Sequence, residues 1–202
     1  MKVALLAPIA WRTPPRHYGP WERIAALLDE GLTARGVDVT LFATGDSLAS
    51  NKLAYRCSSP YEESPHLDPK VWEALHIAHL FEQAEQYDII HNHYDFLPLT
   101  YSRLVSTPMV TTIHGFSSQR ILPVYQEYNL NNHYVSISYA DRHPSLKYTA
   151  NVYHGIDLNE FDFQPQAEDY LLYLGRIHPD KGTREAIDIA IHCGCRLFIA
   201  GI

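Results

Sequence analysis

The 202-residue chain has little cysteine, little positive charge and no long apolar run, and each shortage narrows what it can be. Its cysteines, Cys57, Cys193 and Cys195, are odd in number and lack the C-x-x-C spacing of a metal-ligand or redox pair. Buried or free thiols in a reducing compartment follow from that pattern. No stretch reaches the roughly 18 consecutive apolar residues needed to span a bilayer. The opening MKVALLAPIAW breaks at Pro8, too short for a signal peptide's apolar core and without a small-residue cleavage site. A cytoplasmic protein with no stable membrane insertion is expected. Lys and Arg number 16 against 23 Asp and Glu, a formal net charge of -7, with no basic run. Nucleic acid bound by phosphate neutralisation is therefore not an expected partner. The fingerprint G-x-G-x-x-G is absent, which argues against a dehydrogenase.

What is present is an ordinary globular composition, 46% hydrophobic and 19% charged, too apolar for disorder. A chain of this size can bury about 70% of its surface on folding, so a core forms without disulfide or metal staples. Apolar and amphipathic runs alternate from the start. Val3-Ala4-Leu5-Leu6-Ala7 has the all-apolar character of a parallel strand buried on both faces. From Pro20, a residue suited to a first helical turn, Trp21, Ile24, Leu27, Leu28 and Leu32 fall at helical spacing, and Gly36 is placed to end the helix. Val37 to Ala43 reads as the next strand. A helix carrying Trp72, Leu75, Ala78 and His79 follows, then strands at Asp88–His91, Met109–Gly115 and His133–Ser138, with 151–157 as the last strand of this half. Strands alternating with helices imply a doubly wound parallel α/β sheet with right-handed crossovers.

The expected organisation is a Rossmann-like domain over 1–157, a linker over 158–169 containing Pro165, and over 170–202 the first β-α-β unit of a second Rossmann-like domain. That closing unit is too small to bury both faces of a parallel sheet. A fragment of a longer protein is expected, rather than a unit packed on the first domain or on another chain.

Ligands of open α/β sheets bind beyond the carboxyl ends of the strands. There the sequence places a loop with Arg12, Arg16, His17, Tyr18 and Gly19 leading into a helix whose free N–H groups favour an anion. It also places His91-x-His93 with Asp95, whose imidazoles can converge on a metal, meet sugar hydroxyls or simply pack. Ser138 reads equally as a helix N-cap or an acceptor-site hydroxyl, and Asp157 as a cap, hinge or substrate contact. The most informative segment is Gly175-Arg176-Ile177-His178-Pro179-Asp180-Lys181-Gly182. A strand ends in glycine, a guanidinium fork follows, and Lys-Gly opens the next helix, a pair of cations suited to gripping a diphosphate.

Taken in order, Tyr18-Gly19-Pro20 with Glu22, Asp88-Ile89-Ile90-His91-Asn92-His93, Thr111-Thr112-Ile113-His114-Gly115, Val135-Ser136-Ile137-Ser138, Tyr153-His154-Gly155-Ile156-Asp157 and the Gly-Arg…Lys-Gly loop resemble the retaining glycosyltransferases of family four. That resemblance implies the two-Rossmann-domain architecture called GT-B and a sugar moved from a nucleotide-diphosphate sugar to an acceptor hydroxyl with retention. It implies Arg176 and Lys181 on the donor's diphosphate and His114 on the transferred sugar, these three forming the catalytic set. Gly19, Tyr18, Glu22, His91, His93, Asp95 and Gly175 are the implied substrate-binding residues. Where the family has paired glycines this chain has Gly19-Pro20, and Pro20 offers no N–H. Neither a cofactor nor a metal is expected. The expected partners are the donor and a sugar, glycan or small-molecule acceptor. The paired-glutamate motif of the family is not present up to Ile202, so this polypeptide alone is expected to be catalytically crippled. Two rivals remain: a non-catalytic glycan- or partner-binding module derived from such an enzyme, and a GT-B-like sugar-nucleotide epimerase or phosphorylase.

Overall fold

A computed structural model describes residues 1–116 and 118–201. They form two compact units, one over Met1–Gly155 and one from Ile156 onward.

The first unit is a seven-stranded, wholly parallel sheet. Its strands are β1 (Lys2–Leu6), β2 (Asp38–Phe42), β3 (Lys52–Ala54), β4 (Ile89–Asn92), β5 (Met109–Ile113), β6 (His133–Ser136) and β7 (Tyr148–Asn151). They lie in the order β3-β2-β1-β4-β5-β6-β7. The doubly wound, Rossmann-like architecture read from the alternation of elements is the one observed. Central β1 shows why an unbroken apolar run was needed. Leu5 and Ala7 pack on one face with Ala25, Val39 and Leu41, while Ala4 and Leu6 pack on the other with Phe42, Ile77, Leu80 and Ile90. Side chains alternate across a strand, so a strand covered on both sides has no position to spare for a polar residue.

The helices begin where the sequence directs. In α1 (Pro20–Thr33), Pro20 occupies the first turn, where its missing N–H costs nothing, and Leu28 and Leu32 face the sheet. In α2 (Pro69–Phe81), Pro69 holds the same position and the Asp68 side chain accepts from the Val71 N–H at 3.3 Å. A short α3 (Leu122–Glu127) buries Tyr125.

The strand expected over 151–157 is corrected: β7 is Tyr148–Asn151, and the segment after it is exposed and forms no strand. As an edge strand, with positions that are only half-buried or exposed, β7 has no need of the apolar run that the sequence reading sought.

The second unit pairs β8 (Tyr170–Leu174) in parallel with β9 (Arg196–Ala200), joined by α4 (Thr183–Cys193). Gly182, at φ +72°, caps the start of α4, and Gly194, at φ +63°, ends it. Both glycines supply the left-handed backbone that other residues adopt at a cost.

Candidate functional site

Strand order in the first unit reverses at β1, with β2 on one side and β4 on the other. This is the point at which an open α/β sheet presents a crevice at its carboxyl edge. Three segments leave that edge: the loop from β1 into α1, the segment after β4 and the segment after β5. The His93 N–H donates to the Leu6 carbonyl at 2.9 Å and fastens the second of these to β1.

In the first loop, Glu22 lies in the opening turn of α1 and accepts the Trp11 N–H at 3.3 Å. The residue is buried, and burial raises its carboxyl from 4.5 to about 7. Gly19 has φ +147°, and a Cβ placed there would lie 2.8 Å from Pro15 Cβ and 3.0 Å from Glu22 Oε2. Gly19→Ala is therefore expected to cost about 2 kcal/mol, from strained backbone and displacement of the loop. Urea unfolding measures it, and unaltered stability would contradict the assignment. Tyr18 is exposed and meets Trp11 edge-on, with ring centroids 6.3 Å apart.

The end of β4, the segments after β4 and β5 and the chain beyond β7 assemble four imidazoles. His91 Nε2 lies 2.9 Å from Thr112 Oγ1. His93 Nδ1 lies 2.9 Å from His114 Nε2, and His114 Nδ1 lies 3.1 Å from His154 Nε2. The indole of Trp21 stacks on His114 at 5.4 Å with the planes 19° apart. Burial pushes His91 down to about 4 and His114 down to about 3. His93 is driven well below its ordinary value, first by burial and then by its imidazole neighbours, and His154 is lowered by burial. All four rings are therefore neutral at neutral pH, each with one N–H donor and one acceptor. His93, His114 and His154 form two nitrogen-to-nitrogen pairs, while His91 faces Thr112. Among the described residues, no group of three His, Cys, Asp or Glu side chains converges as a metal site requires.

Asp95 has φ +79° and its carboxylate accepts the Tyr125 hydroxyl, while the Asn92 amide donates to its carbonyl at 2.9 Å. Burial and the Asp95 carboxylate both push the Tyr125 hydroxyl upward, so it stays protonated and donates. Tyr125→Phe should cost about 2 kcal/mol, since hydrogen bonds to charged groups contribute more than neutral ones. Chemical denaturation tests this, and a change within error would mean that the bond contributes nothing.

In the second unit, Gly175 follows β8 with φ +155°, and its N–H donates to the Ala200 carbonyl at 3.1 Å. The Tyr173 hydroxyl donates to the Arg176 carbonyl at 2.7 Å and accepts from Thr183 Oγ1 at 2.8 Å, tying the loop to the first residue of α4. A 3₁₀ turn over Pro179–Lys181 then leads through Gly182 into α4. The backbone of Arg176 is fixed, yet both Arg176 and Lys181 are exposed, and among the described residues neither forms an ion pair. A depression beside them is lined by Ile177, His178, Pro179, Thr183, Arg184 and Glu185.

The structure thus brings His91, His93 and His114 together and places Gly19 beside Glu22. Gly175, Arg176 and Lys181 share one loop of the second unit. Asp95 is engaged with Tyr125. Ser138 exchanges hydrogen bonds with Asp141 in a turn rather than capping a regular helix, and Asp157 caps the 3₁₀ turn Leu158–Glu160 through the Asn159 N–H. Two participants were missed in the sequence reading. Trp21 passed as a core residue of an amphipathic helix, and His154 passed as part of the expected strand over 151–157. Its neighbour Gly155 gave the only local signal, a polar ring beside a flexible residue at a strand end.

Residues 22–159 match a family model described as Glycosyltransferase Family 4. Among solved structures, the chain is similar to AviGT4, a glycosyltransferase involved in avilamycin A biosynthesis. The TM-score is 0.62 and the identity 22%, over 98% of this chain and 56% of that one. It is also similar to MurG of Acinetobacter baumannii, with TM-score 0.54 and identity 11%, over 98% of this chain and 59% of that one. At such identities the likeness is one of fold, and that fold is the expected Rossmann-like one of GT-B proteins. The chain spans less than two thirds of the length of either protein. No curated protein sequence matches it. Among the described residues, no helix is long and apolar enough to cross a membrane.

Proposed function

The chain belongs to Glycosyltransferase Family 4, and from that premise we propose that it serves transfer of a sugar, with retention, from a nucleotide-diphosphate sugar to an acceptor hydroxyl. The observation that carries this reading is the loop Gly175–Gly182, where two exposed cations, without ion-pair partners among the described residues, precede the start of a helix. Breaking the glycosidic bond to a diphosphate moves negative charge onto the leaving group. A site accelerates the step only to the extent that it holds that charge better in the transition state than in the ground state. Arg176 supplies a planar fork for two phosphate oxygens, Lys181 a mobile point charge, and the free N–H groups at the start of α4 a fixed partial positive charge.

As the bond lengthens, positive charge develops at the anomeric carbon. The acceptor hydroxyl attacks from the face the diphosphate is leaving, and the departing phosphate takes its proton. His114, which takes up a second proton only below about pH 3, is too weak a base to serve as general base at neutral pH. A neutral imidazole instead orients a sugar hydroxyl. Glu22, half-protonated near pH 7, can donate to or accept from another hydroxyl. Tyr18, Gly19, His91, His93 and Asp95 shape the sugar-facing side, and Gly175 allows the close approach of the loop to the diphosphate. The chemistry asks for no cofactor and no metal.

Calorimetric titration with UDP, GDP, ADP and dTDP tests the reading. Saturable binding of at least one, weakened in Arg176→Ala, is expected. Binding of none would remove the nucleotide-sugar donor from the account.

A further inference from the structure

Both ring nitrogens of His114 are already occupied. His93 holds Nε2 at 2.9 Å and His154 holds Nδ1 at 3.1 Å, while Trp21 covers one face of the ring. A sugar hydroxyl can therefore reach a His114 nitrogen only by replacing one of these partners. The two partners are not equivalent. His93 is 1% exposed, directly follows β4, and its backbone is bonded to β1. His154 is exposed, lies three residues beyond the end of β7, and sits between exposed Tyr153 and Gly155. We infer that His154 is a displaceable stand-in for substrate: it occupies the Nδ1 position of His114 until a hydroxyl of the donor sugar takes its place.

The proton arrangement follows from this exchange. In a chain of neutral imidazoles each ring donates once and accepts once, so the His93–His114 and His114–His154 bonds point the same way along the chain. With His93 Nδ1 donating, His114 presents Nδ1–H outward and His154 accepts it, and the incoming hydroxyl oxygen accepts in its turn. With the chain reversed, His154 donates to His114 Nδ1, and the hydroxyl must donate. Among the described residues His93 Nε2 is buried without a partner, so it presents no second bond that would fix one direction. The stand-in keeps the buried pair His93–His114 satisfied when no sugar is bound. It makes binding weaker by the value of the bond that must be broken.

This inference rests on the reading of His114 as a sugar contact, and the experiment separates the two. The chain, labelled with ¹⁵N-histidine, is titrated with UDP-glucose, GDP-mannose, ADP-glucose and dTDP-glucose. Wild type, His154→Ala and His154→Phe are compared; Phe keeps the bulk of the ring without its nitrogens. In wild type the donor that binds is expected to shift His114 Nδ1 and His154 Nε2 together, with His93 Nδ1 unmoved. Both variants should bind that donor about fivefold more tightly, because a neutral hydrogen bond no longer has to be exchanged. Binding that leaves the His114–His154 resonances unaltered, or that is weakened in both variants, would overturn the exchange while leaving the donor reading intact. Failure of every nucleotide sugar to bind any of the three proteins would overturn the donor reading and the exchange with it.

Discussion

In a full-length protein that contains this chain, Arg176→Ala is expected to reduce turnover of a nucleotide sugar by about 10² to 10³-fold, the loss found when one preorganised donor to a developing oxyanion is removed. The expectation follows from what the side chain is free to do. Its carbonyl is held by Tyr173, which fixes the loop, but its guanidinium is exposed and forms no ion pair among the described residues. Removing it should leave stability to urea within about 0.5 kcal/mol of wild type, as for surface substitutions away from special features. Arg176→Lys should recover only part of the activity, because an ammonium cannot grip two phosphate oxygens in a plane. Steady-state kinetics of the three proteins checks this. Equal kcat/KM in wild type and Arg176→Ala would remove the diphosphate from this loop.

The second large effect belongs to Glu22. Its carboxyl is raised from 4.5 to about 7 by burial, so the folded chain holds a proton that the unfolded chain has released. Folding stability contributed by this group is complete below about pH 4.5 and declines as pH rises through the folded value near 7. At one pKa unit per 1.36 kcal/mol, the decline amounts to about 3 kcal/mol. Glu22→Gln keeps the shape without the ionisation, so it should be more stable than wild type by about 3 kcal/mol at pH 8 and nearly equal to it at pH 4. The buried imidazoles act in an overlapping window with the opposite sign. His91 and His114 are depressed to about 4 and 3, so their stability is present above about 6.5 and is lost as pH falls through those values. For that reason the measurement is the difference between wild type and Glu22→Gln across pH, in which the imidazole contribution cancels. A difference that does not change with pH would show that the Glu22 carboxyl titrates in the fold as it does in the unfolded chain.

These two sites differ in how far the sequence disclosed them. The loop from Gly175 to Gly182 is local: its glycines, its cations and the helix start are neighbours in the chain, and all three were legible. So was β1, because a strand covered on both faces must be apolar throughout, and so was the start of α1 at Pro20. Elements too short for periodicity were not. β3 has three residues and α3 six, and β7, an edge strand, carries the mixed pattern Tyr-Thr-Ala-Asn. The imidazole cluster was legible only in part. His91 and His93 were adjacent, but their meeting with His114 depends on β4 and β5 lying side by side, a strand order that composition does not encode. His154 lies 40 residues from its partner and arrives from beyond β7, two places further along the sheet. The raised carboxyl of Glu22 was hidden for a similar reason: its burial depends on the fold of the loop through Pro15 and Gly19.

The most direct measurement is the anomeric configuration of the product. A full-length protein that contains this chain is incubated with the nucleotide sugar it binds and with a hydroxyl acceptor, and the new glycosidic bond is read by proton NMR alongside the release of nucleoside diphosphate. One diphosphate released per sugar transferred, with the anomeric configuration of the donor kept, is the predicted result. An inverted product, or diphosphate binding with no sugar transferred, would contradict the account.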